Sequence, residues 1–141
     1  MNRILIVDDE IPIQILYADA LTEEGYEVMT TGTGSGILEL IGETQPDLVV
    51  LDIRLGDSNG LDLLQDIRAT YYELPVILCS AYSAFRYDLR SVAADYFIVK
   101  SSDLNELKVK IEMSLENRKP FLTKAMMKVM KETANQWHPA L

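Results

Sequence analysis

The sequence predicts an α/β fold, a doubly wound five-stranded parallel sheet with helices on both faces. Three observations predict it. Short apolar runs alternate with helix-period segments five times along the chain, and strict alternation favours parallel strands joined by helical crossovers. Three of the runs, Ile4–Val7, Leu48–Leu51 and Val76–Cys79, are apolar throughout, as strands buried on both faces are. The 141 residues, 48% of them hydrophobic, suit one domain with a full core.

The elements follow in order. Ile4–Val7 is the first strand. Pro12 suits the first turn of a helix whose Ile13, Leu16 and Ala20 share a face, and Gly25 suits its stop. Tyr26–Thr30 mixes polar with apolar residues and reads as an edge strand. Gly32-Thr33-Gly34-Ser35-Gly36 lacks the Lys-Ser/Thr of a phosphate-binding loop and reads as a strand-to-helix connection. Thr33–Glu43 carries Ile37, Leu40 and Ile41 on one side of a short helix. Leu48–Leu51 is a buried strand, followed by a helix marked by Leu61, Leu64 and Ile67. Val76–Cys79 is the next buried strand, with Cys79 as a small apolar filler. Ser83–Leu89 is expected to be helical, and Tyr71, Tyr72 and Tyr82 to pack at helix ends, with Tyr82 turned toward a partner. Tyr96–Val99 is the fifth strand. Asp103 and Glu106 stand in capping-box spacing before Leu104, Leu107, Ile111 and Leu115. Residues 1–118 form the domain. Residues 119–141 read as a basic amphipathic helical tail, with Pro120 at its start, Leu122, Met126 and Met130 in line, and Lys119, Lys124, Lys128 and Lys131 outside.

Charge narrows the function. The net charge is −9, yet residues 1–99 carry −12 and residues 100–141 carry +3. So acidic a body lacks the electrostatic footprint of a nucleic-acid binder. No apolar stretch approaches the ~20 residues of a membrane helix, and Met1-Asn2-Arg3 leads into a strand without a signal-peptide core. The expected compartment is the cytoplasm. A single cysteine, Cys79, excludes an internal disulfide and a cysteine-based zinc site.

The strand ends carry the chemistry. In open parallel sheets, ligands collect beyond the carboxyl ends of the strands. Here those ends hold Asp8-Asp9-Glu10, Asp52, Ser80-Ala81 and Lys100. Clustered carboxylates repel and resist burial. A hard cation such as Mg²⁺ relieves both problems through oxygen ligation while keeping room for water and phosphate oxygens. A lysine and a hydroxyl could hold the other oxygens of a phosphoryl group, leaving one carboxylate free to attack phosphorus.

Four segments in order, Ile4-Leu5-Ile6-Val7-Asp8-Asp9-Glu10, Leu51-Asp52-Ile53-Arg54-Leu55 with Gly60 eight residues after Asp52, Ser80-Ala81, and Phe97-Ile98-Val99-Lys100, resemble the receiver domain of two-component response regulators over about residues 2–118. The resemblance implies a flavodoxin-like strand order 2-1-3-4-5, the order of the chemotaxis receiver. It implies Asp52 as phosphoacceptor, Asp9 and Asp8 as metal-binding acids, and the main-chain carbonyl of Arg54 as a further metal ligand. It also implies Ser80 and Lys100 as partners of the phosphoryl group, and Phe97 with Ser80 as a switch that remodels the surface of the fourth helix, fifth strand and fifth helix. The cofactor implied is Mg²⁺, and the donor a histidine kinase or phosphotransfer protein. The expected output is a downstream protein target or a missing effector domain, with homodimerisation possible through the tail and no nucleic acid bound by this domain.

Two positions depart from the family pattern. Ser101 stands where proline usually follows the lysine, in a bond that is usually cis. A cis bond before serine costs about 2.5–4 kcal/mol, so the loop either enforces cis or is trans and shifted. Gly56 stands where proline is frequent. A phosphohydrolase of the haloacid dehalogenase class also forms an aspartyl phosphate, but it expects an acid two residues after the nucleophile, where this chain has Arg54. A receiver-like adaptor that has lost its switch is the other alternative, with Ser101 as its support.

Overall fold

The structure is a computed structural model, and it describes residues 1–56, 58–117, 129 and 131–133. The tail expected over residues 119–141 therefore lies outside the described residues, apart from those four positions.

β1 (Arg3–Val7), β2 (Glu27–Thr31), β3 (Leu48–Asp52), β6 (Val76–Ser80) and β7 (Tyr96–Val99) form one parallel sheet in the order β2-β1-β3-β6-β7. Between β3 and β6 lies a small antiparallel hairpin of β4 (Arg54–Leu55) and β5 (Ser58–Asn59). Leaving that hairpin aside, the order is 2-1-3-4-5, as the resemblance implies. β3 and β6 are buried at every residue, and β1 at all but Arg3. β2 stands at one edge and is only partly covered.

The pleat divides the core into two layers. Leu5, Val7, Val49, Leu51, Val76 and Leu78 face α2 (Ile37–Thr44) and α3 (Gly60–Thr70), where Ile37, Ile41, Leu61, Leu64 and Ile67 pack. Ile4, Ile6, Leu48, Val50, Ile77 and Cys79 face α1 (Ile11–Glu23) and α4 (Asn105–Asn117), where Tyr17, Leu21, Leu107 and Ile111 pack. Alternate residues of one strand thus serve opposite layers. No helix among the described residues is long and apolar enough to cross a membrane.

Four expectations need correction. Tyr72, expected to pack at a helix end, is 74% exposed. The buried stripe of α1 is Ile13–Tyr17–Leu21, and Leu16 is 44% exposed. Tyr17 can be buried because its hydroxyl finds the Cys79 sulfur at 3.4 Å. The second helix begins at Ile37 and not at Thr33, because the glycine-rich run makes close contacts as a loop: a Cβ on Gly34 would strike the Leu63 side chain. The segment expected as a helix at Ser83–Leu89 is instead two short 3₁₀ helices, Ser83–Tyr87 and Leu89–Ala93. Asp88, extended between them, accepts the Arg90 N–H at 2.9 Å and starts the second turn afresh, an arrangement that competes with a continuous helix.

The start of α3 is set by close approach. The Gly60 N–H donates to the Ile53 carbonyl at 2.6 Å, and a Cβ on Gly60 would collide with the Asp52 carbonyl oxygen and the Ile53 Cα. Both neighbours are main chain and cannot step aside. Gly60→Ala is expected to lower stability by about 1–3 kcal/mol, measured as a drop in the urea midpoint; an unchanged midpoint would show that the Asp52 loop yields freely.

Candidate functional site

Parallel strands end on one edge of their sheet. β1, β3, β6 and β7 thereby bring Asp8 and Asp9, Asp52, Ser80 and Lys100 to a single rim. The register is close: Val7 pairs with Leu51, Asp52 with Cys79, and Ser80 with Val99. The Lys100 N–H donates to the Ser80 carbonyl at 2.8 Å, and the Asp8 N–H to the Thr31 carbonyl at 3.0 Å.

Asp8, Asp52 and Ser80 are buried at 2%, 6% and 1% exposure, while Asp9 is exposed. Buried charges require partners. Lys100 Nζ provides one, 2.8 Å from Asp8 Oδ2 and 3.0 Å from Asp52 Oδ2, with Glu10 Oε2 at 3.5 Å. Asp8 is held from its other side by the Glu10 N–H at 2.9 Å, and Gln14 donates to the Asp8 carbonyl at 2.6 Å. Lys100 reaches the acids across a trans bond to Ser101, since no cis peptide occurs among the described residues. Of the two loop conformations left open by Ser101, the trans one therefore applies, and it still delivers the ammonium to the carboxylates.

The electrostatics follow from this packing. Burial pushes the Asp52 carboxyl above its ordinary range, against the opposing pull of Lys100 and a main-chain hydrogen bond from Arg54. Burial opposes the charge on Lys100, but its bonds to Asp8 and Asp52 outweigh that and hold its pKa above the usual lysine value. Below the rim, burial raises the Tyr17 hydroxyl and the Cys79 thiol, so both stay neutral as a polar pair beneath the carboxylates.

The donor set fits a hard cation. One carboxylate oxygen from each of Asp8, Asp9 and Asp52 lies within 4.8 Å of the others. All three are oxygen donors, and the exposed Asp9 leaves the rim open to water, which suits Mg²⁺.

One of the expected site residues, Phe97, lies apart from this cluster. Phe97 pairs in register with Leu78 and packs into the α2–α3 layer, with the Arg86 guanidinium 5.5 Å from its ring centroid. Arg54, expected through its main-chain carbonyl alone, keeps its main chain hydrogen-bonded to Asp52 while its side chain stacks on Tyr82, 4.1 Å from the ring centroid. Glu10, already named among the acids at the end of β1, also reaches the site, and so does Gln14, which carries no sequence signal beyond its nearness to Asp8. Tyr17 and Cys79 could be matched only once α1 was placed on β6.

Comparison with known proteins agrees with this geometry. The family model described as the response regulator receiver domain matches residues 4–112. The regulatory protein AtoC of Escherichia coli is 34% identical over 119 residues, 82% of this chain and 26% of its own length. The response regulator TrrA of Thermotoga maritima, solved in complex with Mg²⁺ and BeF, is 42% identical, with a TM-score of 0.78, over 81% of this chain and 99% of that one. TrrA in its complex with the histidine kinase ThkA matches at 42% identity and a TM-score of 0.77, over 82% of this chain and 99% of that one. The chain spans between 25% and 51% of the length of the first curated relatives it matches. With a family model covering most of its length and its sheet order and acidic rim in place, the chain belongs to the response regulator receiver domain family.

Proposed function

We propose that this chain is the phospho-accepting receiver of a two-component phosphorelay. The observation that carries the reading is the convergence of Asp8, Asp9, Asp52 and Lys100 on one rim, with Asp52 nearly enclosed. An Asp52 carboxylate oxygen forms a bond to phosphorus as the phosphorus–nitrogen bond of a phosphohistidine breaks, and the donor imidazole leaves. Asp8, Asp9, Asp52 and the Arg54 main-chain carbonyl would hold Mg²⁺, which when bound supplies positive charge to the transferring phosphoryl oxygens. Lys100 moves from bridging two carboxylates to pairing with the phosphoryl group. The Ser80 hydroxyl, which accepts the Tyr82 N–H at 3.1 Å, turns to donate to a phosphoryl oxygen. Ser80 and Phe97 lie on the adjacent strands β6 and β7, so a shift at Ser80 is passed to the partly buried Phe97 ring by packing alone. The chain catalyses only its own phosphorylation and dephosphorylation, acts in the cytoplasm, and delivers its output through protein contacts. The division into a receiver at residues 1–118 and a tail beyond belongs to the same reading.

The surface beside the rim suits a protein donor. Ile11, Ile15 and Leu16 of α1 are exposed at 60%, 56% and 44%, one turn beyond the acids. TrrA is solved in complex with a histidine kinase, which supports a kinase or phosphotransfer protein as the partner here.

Three outcomes follow. Incubation with Mg²⁺ and a small phosphodonor is expected to add the mass of one phosphoryl group, and Asp52→Asn to abolish the gain; a gain that survives the substitution would refute the assignment. Ile15→Glu is expected to slow transfer from a phosphohistidine protein by about tenfold or more, with loading from the small donor unchanged; equal slowing of both would place the defect inside the site. The raised pKa of Asp52 also sets a sign for stability. An acid whose pKa is higher folded than unfolded favours folding when protonated, and that contribution is lost as pH rises through its folded pKa. Asp52→Asn should therefore melt above wild type at pH 7, with the gap closing as the pH falls through the carboxylate range. A gap that widens on acidification would mean that Lys100 dominates the environment of Asp52.

A further inference from the structure

The glycine-rich run after β2 and the amide of Gln14 have no part in the roles assigned so far. They meet at the main chain that carries two of the three clustered acids. Asp8 and Asp9 hang from one peptide unit, and β1 ends at Val7, just before it. A peptide unit is planar, so the direction of its carbonyl fixes how the unit is turned and where both side chains set out. The Asp8 N–H is tied to the Thr31 carbonyl at the end of β2 at 3.0 Å. The Asp8 carbonyl accepts the Gln14 side-chain amide, from α1, at 2.6 Å.

Gly32, the residue after β2, leaves the space that this amide occupies. A Cβ there would lie 3.3 Å from Gln14 Nε2 and 3.9 Å from both the Asp8 carbonyl oxygen and the Asp9 Cα. Gly25, Gly36 and Gly56 have positive φ, but Gly32 does not. Conformational freedom therefore does not call for glycine at position 32, whereas room for Gln14 does.

We propose that Gln14, in the space left by Gly32, is a positioning residue for the divalent cation: its bond to the Asp8 carbonyl keeps the Asp8–Asp9 peptide turned so that both carboxylates reach the ion. The inference rests on the receiver reading above. Gln14 acts on the ligands without touching the ion, as outer partners of metal ligands do. When the bond is lost, the Asp8 carboxylate is still held by Lys100 and the Glu10 N–H. The exposed Asp9 has no such second hold printed by its surroundings and follows the peptide. A bond that served only to dock α1 on the sheet would leave the affinity for the ion alone, so metal affinity separates the two roles.

The test uses the full chain and Mn²⁺ alone, an ion with the same preference for octahedral oxygen ligands, with the free ion counted by electron paramagnetic resonance. Wild type is compared with Gln14→Met, Gly32→Val, the Gln14→Met/Gly32→Val pair and Tyr71→Phe. Methionine keeps the length and helix preference of glutamine without its donor, so Gln14→Met is expected to fold. It should weaken Mn²⁺ binding about tenfold, the lower end of what loss of an outer partner costs. Gly32→Val should weaken it by a similar factor, because the added side chain displaces the same amide. The pair should bind no more weakly than the weaker single, since both changes break one bond. Tyr71→Phe also removes one side-chain bond to a main-chain carbonyl, the 2.8 Å contact with Leu38, but far from the acids, and should bind Mn²⁺ as wild type does. Unchanged affinity in Gln14→Met, fully multiplicative losses in the pair, or an equal loss in Tyr71→Phe would overturn the positioning role. A wild-type chain that binds no Mn²⁺ would overturn the cation site together with the role built on it, a result distinct from a wild type that binds the ion beside a Gln14→Met variant that binds it equally well.

Discussion

One ion cluster sets the terms for the rest of the molecule: two buried carboxylates, Asp8 and Asp52, bridged by the ammonium of Lys100. Removing two negative charges from water is unfavourable, and one lysine compensates them only in part. Burial, more than the nearby charge of Asp8, holds the Asp52 carboxyl above its ordinary range despite its lysine partner. Three acids within 4.8 Å of one another beside one ammonium make an oxygen-donor set that suits a divalent cation.

The sheet supplies the stiffness that such a cluster needs. β1, β3 and β6 lie between two apolar layers, and each ends in a residue of the site or directly before one. Dense packing beneath the rim leaves the carboxylates little room to relax apart. Gly60 extends this control past the end of β3: its hydrogen bond to Ile53 holds the start of α3 against the Asp52 loop. Apolar burial, main-chain pairing and a missing Cβ therefore act together to keep like charges close.

Stiffness falls away toward the segment after β6. Its two 3₁₀ helices hold Tyr87, Leu89 and Val92 at 85%, 86% and 79% exposure. Polar contacts tie it to α3, among them Arg90 to Asp62 at 2.9 Å, Gln65 to the Arg90 carbonyl at 3.0 Å and Arg68 to the Ala93 carbonyl at 2.7 Å. Surface ion pairs and hydrogen bonds of this sort contribute little each. An element held by them, with apolar groups in water, sits at the low-stability end of the fold. It begins three residues after Ser80, beside the rim.

The sequence by itself determined the α/β class, the three fully buried strands and the identity of the rim residues. Apolar runs of period one and acids placed directly after them are local signals, and the parallel connection rule converts them into one shared edge. The strand order came from family resemblance and not from periodicity. Tertiary structure alone decided which stripe of α1 is buried, because Leu16 and Tyr17 are equally plausible until Cys79 stands opposite the Tyr17 hydroxyl. Ser83–Leu89 does not form one helix: Asp88 caps a new turn through the Arg90 N–H, and the Arg90 side chain reaches Asp62 on α3. The direction of the Arg54 side chain belongs to the same group. Nothing in its neighbours along the chain points toward Tyr82, and only the adjacency of β3 and β6 brings a cation and a ring from separate loops together. Local pattern determines which groups reach an edge; what they touch there depends on which strands the fold makes neighbours.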